Sequence, residues 1–433
     1  MLHNSTMMDF WPRFDPPPGL VAAWHRRLPD LVCPGFRLRG PRLGDAERLP
    51  AAFGPEAAST LGIAAPGTSD EWMLFVARVR AGRAARHTVC CAVVPDGSAE
   101  IGGLVLLQRL ARESRAATMS AVFSEAHWDT DLPAVSAACM LAFAFQAVGV
   151  GRVEGRAGTS RELEAVRRLG AVTEGVLRQS QPVGDGFADQ TLWSVLATEW
   201  VPPGHSASNL LVRVEQECPV PGGPAEGRDV ERPAWTVQLP TLEGPVVTLR
   251  EIDLLDVPAL LDALEPADLE IAFEPPPATP DEFRRYVSWI QLQRTEGRAA
   301  GFAIVPRGAS KAAGLIQVRR ADLRGAVAEW GIVLASSHRG TGAAAEAARL
   351  MAGFAFETLG VHRLETRASG ISAGSISLLH KLGAVREAHM RQSFAHGSEV
   401  LDDDLWAIVR SDWRGPLDVF GAQNDRVPPA CAR

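Results

Sequence analysis

Residues 333–368 read VLASSHRGTGAAAEAARLMAGFAFETLGVHRLETRA, and residues 122–157 read VFSEAHWDTDLPAVSAACMLAFAFQAVGVGRVEGRA. The two runs align without a gap at an offset of 211 residues, taking Val122 to Val333. His127 falls on His338, Phe143 and Phe145 on Phe354 and Phe356, and Gly149 on Gly360. Arg152, Glu154 and Arg156 fall on Arg363, Glu365 and Arg367. Upstream, Leu38, Arg39 and Asp45 meet Leu249, Arg250 and Asp256 at the same offset. Downstream the offset becomes 213: RLGAVTEGVLRQS (168–180) faces KLGAVREAHMRQS (381–393), and DQTLWSVLATEW (189–200) faces DDDLWAIVRSDW (402–413). A repeat of this period is the mark of a duplicated structural unit, and chance does not produce it over such a length. Two domains are expected, 36–200 and 247–414, joined by a Pro-, Gly- and charge-rich linker at 201–246. A Pro-rich arm (1–35) and a tail (415–433) flank them.

Within the second unit the order of elements can be read from periodicity. Val247–Arg250 is a short strand, and DLLDVPALLDALE has helical spacing with Asp253 placed to cap it. A second amphipathic helix, PDEFRRYVSWIQLQRTEG, opens at Thr279-Pro280 with acidic residues in its first turn and ends before Gly297. Strands follow around Gly301–Val305, Ala313–Val318 and Ala328–Leu334. Then come a helix from Gly342 to Leu359, a strand Arg363–Ala368, a helix from Ser372 to Leu382, and strands near Val385–Phe394 and Leu405–Arg410. The expected class is α+β, a mixed α/β arrangement: in each unit a mixed twisted sheet with helices on its faces.

Composition narrows the function. The chain has 433 residues, too many for one ordinary core, with 46% hydrophobic and 22% charged residues, the balance of a folded soluble protein. A net charge of -7 argues against a general nucleic-acid binder. The six cysteines (Cys33, Cys90, Cys91, Cys139, Cys218, Cys431) form no CxxC pair and no metal spacing, so they read as reduced thiols and no metal is expected. Cys90 and Cys91 sit together in a strand as small buried residues. The start of the chain lacks the basic and apolar regions of a secretory signal, and no apolar run approaches the ~18 residues of a membrane span. A soluble cytoplasmic protein is expected, and an internal pseudo-dimer makes a monomer reasonable beside a homodimer.

The chemistry is concentrated in Ser337-His338-Arg339-Gly340-Thr341-Gly342-Ala343-Ala344, between a strand and a helix. Backbone N–H groups at a helix start have no intrahelical partner, glycine lets them approach a phosphate, and Arg339 can add charge. Such a turn alone is most often only a turn. The surrounding pattern is more specific. Arg339-x-x-Gly342-x-Ala344 resembles the acyl-CoA pyrophosphate loop of the GNAT superfamily of N-acyltransferases, R/Q-x-x-G-x-G/A. Ser372-x-x-Ser375 followed by Lys381-Leu382-Gly383-Ala384 is similar to that family's N-x-x-S and K-L-G-F elements. Ala328-Glu329-Trp330-Gly331-Ile332 looks like its A-E-I-G-Y strand. The branch most resembled is the Rim type, the ribosomal-protein N-terminal acetyltransferases, and the likeness covers 247–414.

The resemblance implies an acyl-CoA or acetyl-CoA donor whose pantetheine arm runs along Ile332, Val333 and Leu334. Arg339, Gly340, Thr341, Gly342, Ala343 and Ala344 would hold the pyrophosphate, with Ser372 beside the pantetheine. An amine attacks the thioester directly, which needs a base and an acid. Ser375 occupies the family's acid position, against the plain reading of a helix-start residue. Glu329 is the first candidate base, against the plain reading of an ion-paired carboxylate. A base that some relatives use aligns with Phe394, leaving His396, Glu399 and Asp402–Asp404 as nearby substitutes. Tyr286, the only tyrosine, lies on an early helix and is set aside as an acid. Two departures stand out: the family asparagine is Ser372, and its phenylalanine is Ala384.

In the first unit Trp128 replaces Arg339 and Asp131 replaces Gly342, and a carboxylate facing a pyrophosphate is repulsive. That unit reads as degenerate and non-catalytic. The acceptor is an amine, on a peptide or a small molecule. Two alternatives remain. A phosphopantetheinyl acyl carrier protein could be the donor in natural-product biosynthesis, meeting Arg319, Arg320 and Arg324 where the plain reading is a solvated hairpin. The chain could also be a non-catalytic acyl-CoA-binding pseudoenzyme.

Overall fold

The computed structural model describes residues 12–13, 24–26, 28, 30–33, 35–54, 61, 68–110, 116–201, 208–209, 211–213, 233–265, 279–321, 325–369, 373–396 and 399–415. The chain divides into two units. The first takes Met1–Arg228 with Asp322–Arg324 and Glu387–Asp404, and the second takes Asp229–Ala321, Gly325–Arg386 and Leu405–Arg433.

In the second unit Leu242–Glu243, Val247–Glu251, Ala299–Pro306, Gly314–Arg320 and Val327–Leu334 pair antiparallel in that order. Val327–Leu334 then pairs parallel with Arg363–Ser369, which pairs with Glu399–Val409. The sheet is buried on both faces, so its strands read as unbroken apolar runs. Alternate side chains still separate cleanly. Ala300, Phe302, Ile304, Ile316, Val318, Ala328 and Trp330 join one core with the helix Ala343–Gly353. Ala299, Ala303, Val305, Leu315 and Val333 join another with Phe283, Val287 and Ile290 of the helix Pro280–Thr295. That helix begins as its sequence requires, with Thr279 accepting from the Glu282 amide at 3.4 Å, Pro280 in the first turn, and left-handed Gly297 (φ 73°) beyond its end.

The first unit has the same order. Asp30–Cys33, Phe36–Arg39, Thr88–Pro95, Gly103–Gln108 and Ala116–Phe123 pair antiparallel, and Leu211–Arg213 adds to the outer edge. Ala116–Phe123 pairs parallel with Arg152–Ala157, and that strand with Gly186–Leu196. The segment Glu387–Asp404 contributes an Ala388 pairing with Gly175, an ion pair of Glu387 with Arg178 at 2.7 Å, and one of Arg391 with Glu199 at 2.7 Å. Val89, Cys91 and Val93 face one core while Cys90, Ala92 and Val94 face the other. The adjacent cysteines are buried, as their strand pattern suggests, and burial pushes the Cys91 thiol up to about 12.

The parallel pairing has the same register in both units: Ala116↔Arg152, Ala117↔Val153 and Thr118↔Glu154 in the first, Val327↔Arg363, Ala328↔Leu364 and Glu329↔Glu365 in the second. Each helix that follows this strand ends in a π turn, Phe143–Val148 and Phe354–Thr358. Structure also reaches into 201–246. Besides Leu211–Arg213, a short helix Ala234–Val237 buries Trp235 in the second unit's core.

Candidate active site in the second unit

The central strand and its parallel neighbour stay paired for three residues only. At the next position the Trp330 carbonyl accepts 2.8 Å from the hydroxyl of Thr366, which is buried there. The segment 330–334 therefore borders a notch, and Ile332, Val333 and Leu334 lie along it. In the first unit the position of Thr366 is Gly155, where an added Cβ would stand 2.7 Å from the Met119 carbonyl, and the parallel pairing ends after three residues there too.

The notch leads to the loop. After a turn at Ser336–His338, Gly340 (φ 77°) and Gly342 (φ 89°) adopt left-handed backbone that other residues avoid, and nothing among the described residues lies within 4 Å of where their Cβ atoms would be. Gly342 is the N-cap of Ala343–Gly353. The Thr341 hydroxyl donates to the His338 carbonyl at 2.7 Å and accepts from the Ala343 amide at 3.3 Å. Arg339, Gly340, Thr341 and Gly342 are exposed, Ala343 is buried and Ala344 half-buried. Glu346, buried one turn on, accepts from the Val246 and Val247 amides at 2.5 and 2.6 Å, which anchors the helix start to the sheet.

The first unit keeps the turn and changes its chemistry. Thr130 repeats the Thr341 contacts, bonding to His127 O at 2.7 Å and to the Leu132 amide at 3.2 Å. Trp128 packs edge-on to Phe123 at 5.3 Å. Asp131 is ion-paired with Arg168 at 2.5 Å. Pro133, at the place of Ala344, has no N–H to offer.

Of the candidate catalytic groups, Glu329 is buried and paired through Oε2 with Arg319 at 2.8 Å. Ser375 lies half-buried near the start of the helix Ala373–Lys381, and the next turns of that helix line a cavity of about 560 Å3 through Ile376, Ser377, His380 and Lys381. Ser372 lies outside the described residues. His396 ends the strand Val385–His396, its side chain likewise outside the description, and it falls in the segment grouped with the first unit. The run 402–404 lies in the strand Glu399–Val409. Asp403 is buried, and Asp402 and Asp404 flank His389 at 3.2 and 2.9 Å. These bonds, the one to Asp404 foremost, raise the His389 pKa. Arg320 lies over the Trp235 ring at 5.8 Å, Arg319 is in the Glu329 pair, and Arg324 lies outside the described residues.

Two groups escaped sequence reading. The Tyr286 hydroxyl crosses from its helix to donate 2.7 Å to Oε1 of Gln317 on the sheet. Gln317 is directly opposite Gly331 on the central strand.

Residues 247–385 match the family model of the acetyltransferase (GNAT) domain. The matched span holds the notch, the loop, Glu329 and Ser375. Among curated proteins, an uncharacterized N-acetyltransferase p20 of Bacillus licheniformis is 24% identical over 176 residues, 40% of this chain and 99% of that protein. Among solved structures, a putative acetyltransferase from T. thermophilus is 25% identical, covering 41% of this chain and 92% of that one at a TM-score of 0.35. RimJ of Mycobacterium smegmatis, solved with a CoA-disulfide, is 22% identical, covering 39% and 87% at 0.36. Among the described residues no helix is long and apolar enough to cross a membrane, and no group of His, Cys, Asp and Glu is arranged to hold a metal ion.

Proposed function

We propose that the chain is a tandem duplication in which the second unit transfers an acyl group from a pantetheine thioester to an amine and the first has lost the donor site. The observation that carries this is the helix start at Gly342. It follows a strand whose parallel pairing ends at Glu329, has left-handed glycine where close backbone approach is needed, and keeps the Ala344 N–H. The first unit fills the corresponding place with Asp131, held by Arg168, and with Pro133. In the second unit those positions are Gly342 and Lys381, so the cation remains and the carboxylate is gone. That exchange suits a bound phosphate.

The acyl-CoA arm would lie along Ile332–Leu334, as an added strand does, with its pyrophosphate on 339–344. The amine attacks the thioester carbon, the C–S bond breaks, and an amide and a free thiol result. Glu329, fixed through Oε2 by Arg319, receives the amine proton, and Ser375 hands a proton to the leaving thiolate. Acetyl-CoA is the donor that the matched family suggests. Arg319 and Arg320 are engaged within the second unit, which gives the carrier-protein alternative no support from those side chains.

The test is thiol release from acetyl-CoA, a long-chain acyl-CoA and an acyl carrier protein, each against a panel of amines. Release with CoA thioesters supports the reading. Release from the carrier protein alone moves the donor to that class. CoA binding without release from any donor makes the chain a pseudoenzyme.

A further inference from the structure

The duplication supplies an internal control. A polar contact present in both units serves the fold; one present only where the donor loop survives serves the chemistry. Arg250 with Asp256 and Arg363 with Glu365 both recur, as Arg39 with Asp45 and Arg152 with Glu154. They belong to the scaffold.

The hydrogen bond from Tyr286 to Gln317 does not recur. At the offset of 211 the two positions are Phe75 and Leu106, both packed into a core cluster of the first unit. Their neighbours hardly change: Val287 is Val76, Ile316 is Val105 and Val318 is Leu107. The fold is thus complete with two apolar side chains there, and placing a phenol and an amide in their stead carries a desolvation cost that packing does not require.

What lies around the pair gives it a use. Gln317 sits between Gly301 and Gly331 across the sheet, on the face covered by the helix Pro280–Thr295. At Gly331 nothing among the described residues lies within 4 Å of a Cβ, and Gly331 is half-exposed. Glu329 lies two residues away on the same face of the same strand. The opposite face is filled by the core under Ala343–Gly353. A nucleophile reaching an acyl group in the notch therefore comes in over Gly331, between Glu329 and Gln317. Because Oε1 of Gln317 accepts from Tyr286, its amide N–H groups are turned toward other acceptors.

We propose that Gln317 and Tyr286 form the acceptor subsite. Gln317 donates to a carbonyl oxygen carried beside the reacting amine, and Tyr286 is the positioning residue that fixes the amide. The acceptor class is an α-amino carbonyl compound, not a plain alkylamine. This rests on the donor reading above.

The test uses the full chain, acetyl-CoA as donor, and two probes that differ in the carbonyl: alaninamide and sec-butylamine. Wild type is compared with Tyr286→Phe, Gln317→Leu and the double variant, which copies the first unit. Comparing ratios between variants cancels the different basicities of the amines. The double variant is expected to keep CoA affinity and melting temperature while the KM for alaninamide rises roughly tenfold, the worth of one lost hydrogen bond. The KM for sec-butylamine should stay as it was. Probe binding followed by ligand-observed NMR, with and without CoA, scores the subsite even if turnover is absent. A wild type that does not prefer alaninamide, or a double variant that keeps the preference, overturns the proposal. Absent CoA binding would instead sink the donor reading, and the calorimetric CoA titration reports that separately.

Discussion

Replacing Gly342 with aspartate writes the first unit's Asp131 into the second and tests the donor site directly. Gly342 has φ 89° and ψ -9°, and an added Cβ meets nothing within 4 Å among the described residues. Aspartate tolerates left-handed backbone better than most residues, and the cost to stability should be about 1 kcal/mol. The cost to binding is larger. A carboxylate roughly 5 Å from each of two phosphate charges, in a water-like dielectric, contributes about 0.8 kcal/mol of repulsion per charge. Together that is about 1.7 kcal/mol, or roughly a 15-fold weaker Kd, and any partial burial enlarges it. Gly342→Ala serves as control, since it carries the backbone strain without the charge. Calorimetric titration with CoA should show one site per chain in wild type, a modest loss in the alanine variant and at least an order of magnitude more in the aspartate variant. The gap between the variants should shrink as salt is raised. Aspartate and alanine variants agreeing within threefold would refute the electrostatic argument.

Other expectations follow from single contacts. Glu329→Gln should lower kcat by about 10²-fold or more and remove the acidic limb of the pH–rate profile; a variant that keeps this limb places the base elsewhere. His389 has a raised pKa, so its contacts with Asp402 and Asp404 stabilise the fold fully below the unfolded value near 6.5 and fade as pH rises through the folded value. His389→Gln should accordingly cost about 0.5 kcal/mol or less at pH 6, screened by solvent, and nothing at pH 9, as measured by urea unfolding. The native chain should resist alkylation at Cys90 and Cys91 at pH 8, where burial keeps them protonated, and react there only when denatured; mass mapping of the labelled peptides decides it.

The repeat made the architecture legible, because apolar positions 211 residues apart must serve the same two cores. The loop was legible too, since glycine at 340 and 342 marks backbone that few other residues adopt. What the sequence hid depends on register. That Arg319 lies opposite Glu329, and Gln317 opposite Gly331, follows from strand pairing that no local pattern specifies. Tyr286 was set aside because its helix comes early in the chain, yet that helix crosses the sheet at Gln317. A signal for it did exist: within a helix and a strand whose neighbours keep their apolar character between repeats, Tyr286 against Phe75 and Gln317 against Leu106 change polarity. In the run 402–404, alternation along the strand sends Asp403 inward while Asp402 and Asp404 hold a histidine.

The end of the parallel pairing at Glu329 has a consequence for handling the protein. A strand border held ajar is a template for any extended peptide, including another copy of the same chain. The border proposed to admit a donor thus also exposes the resting molecule to strand-wise self-association. Saturating CoA, lying along that border as proposed, should therefore act as a preservative, slowing concentration-dependent turbidity on storage.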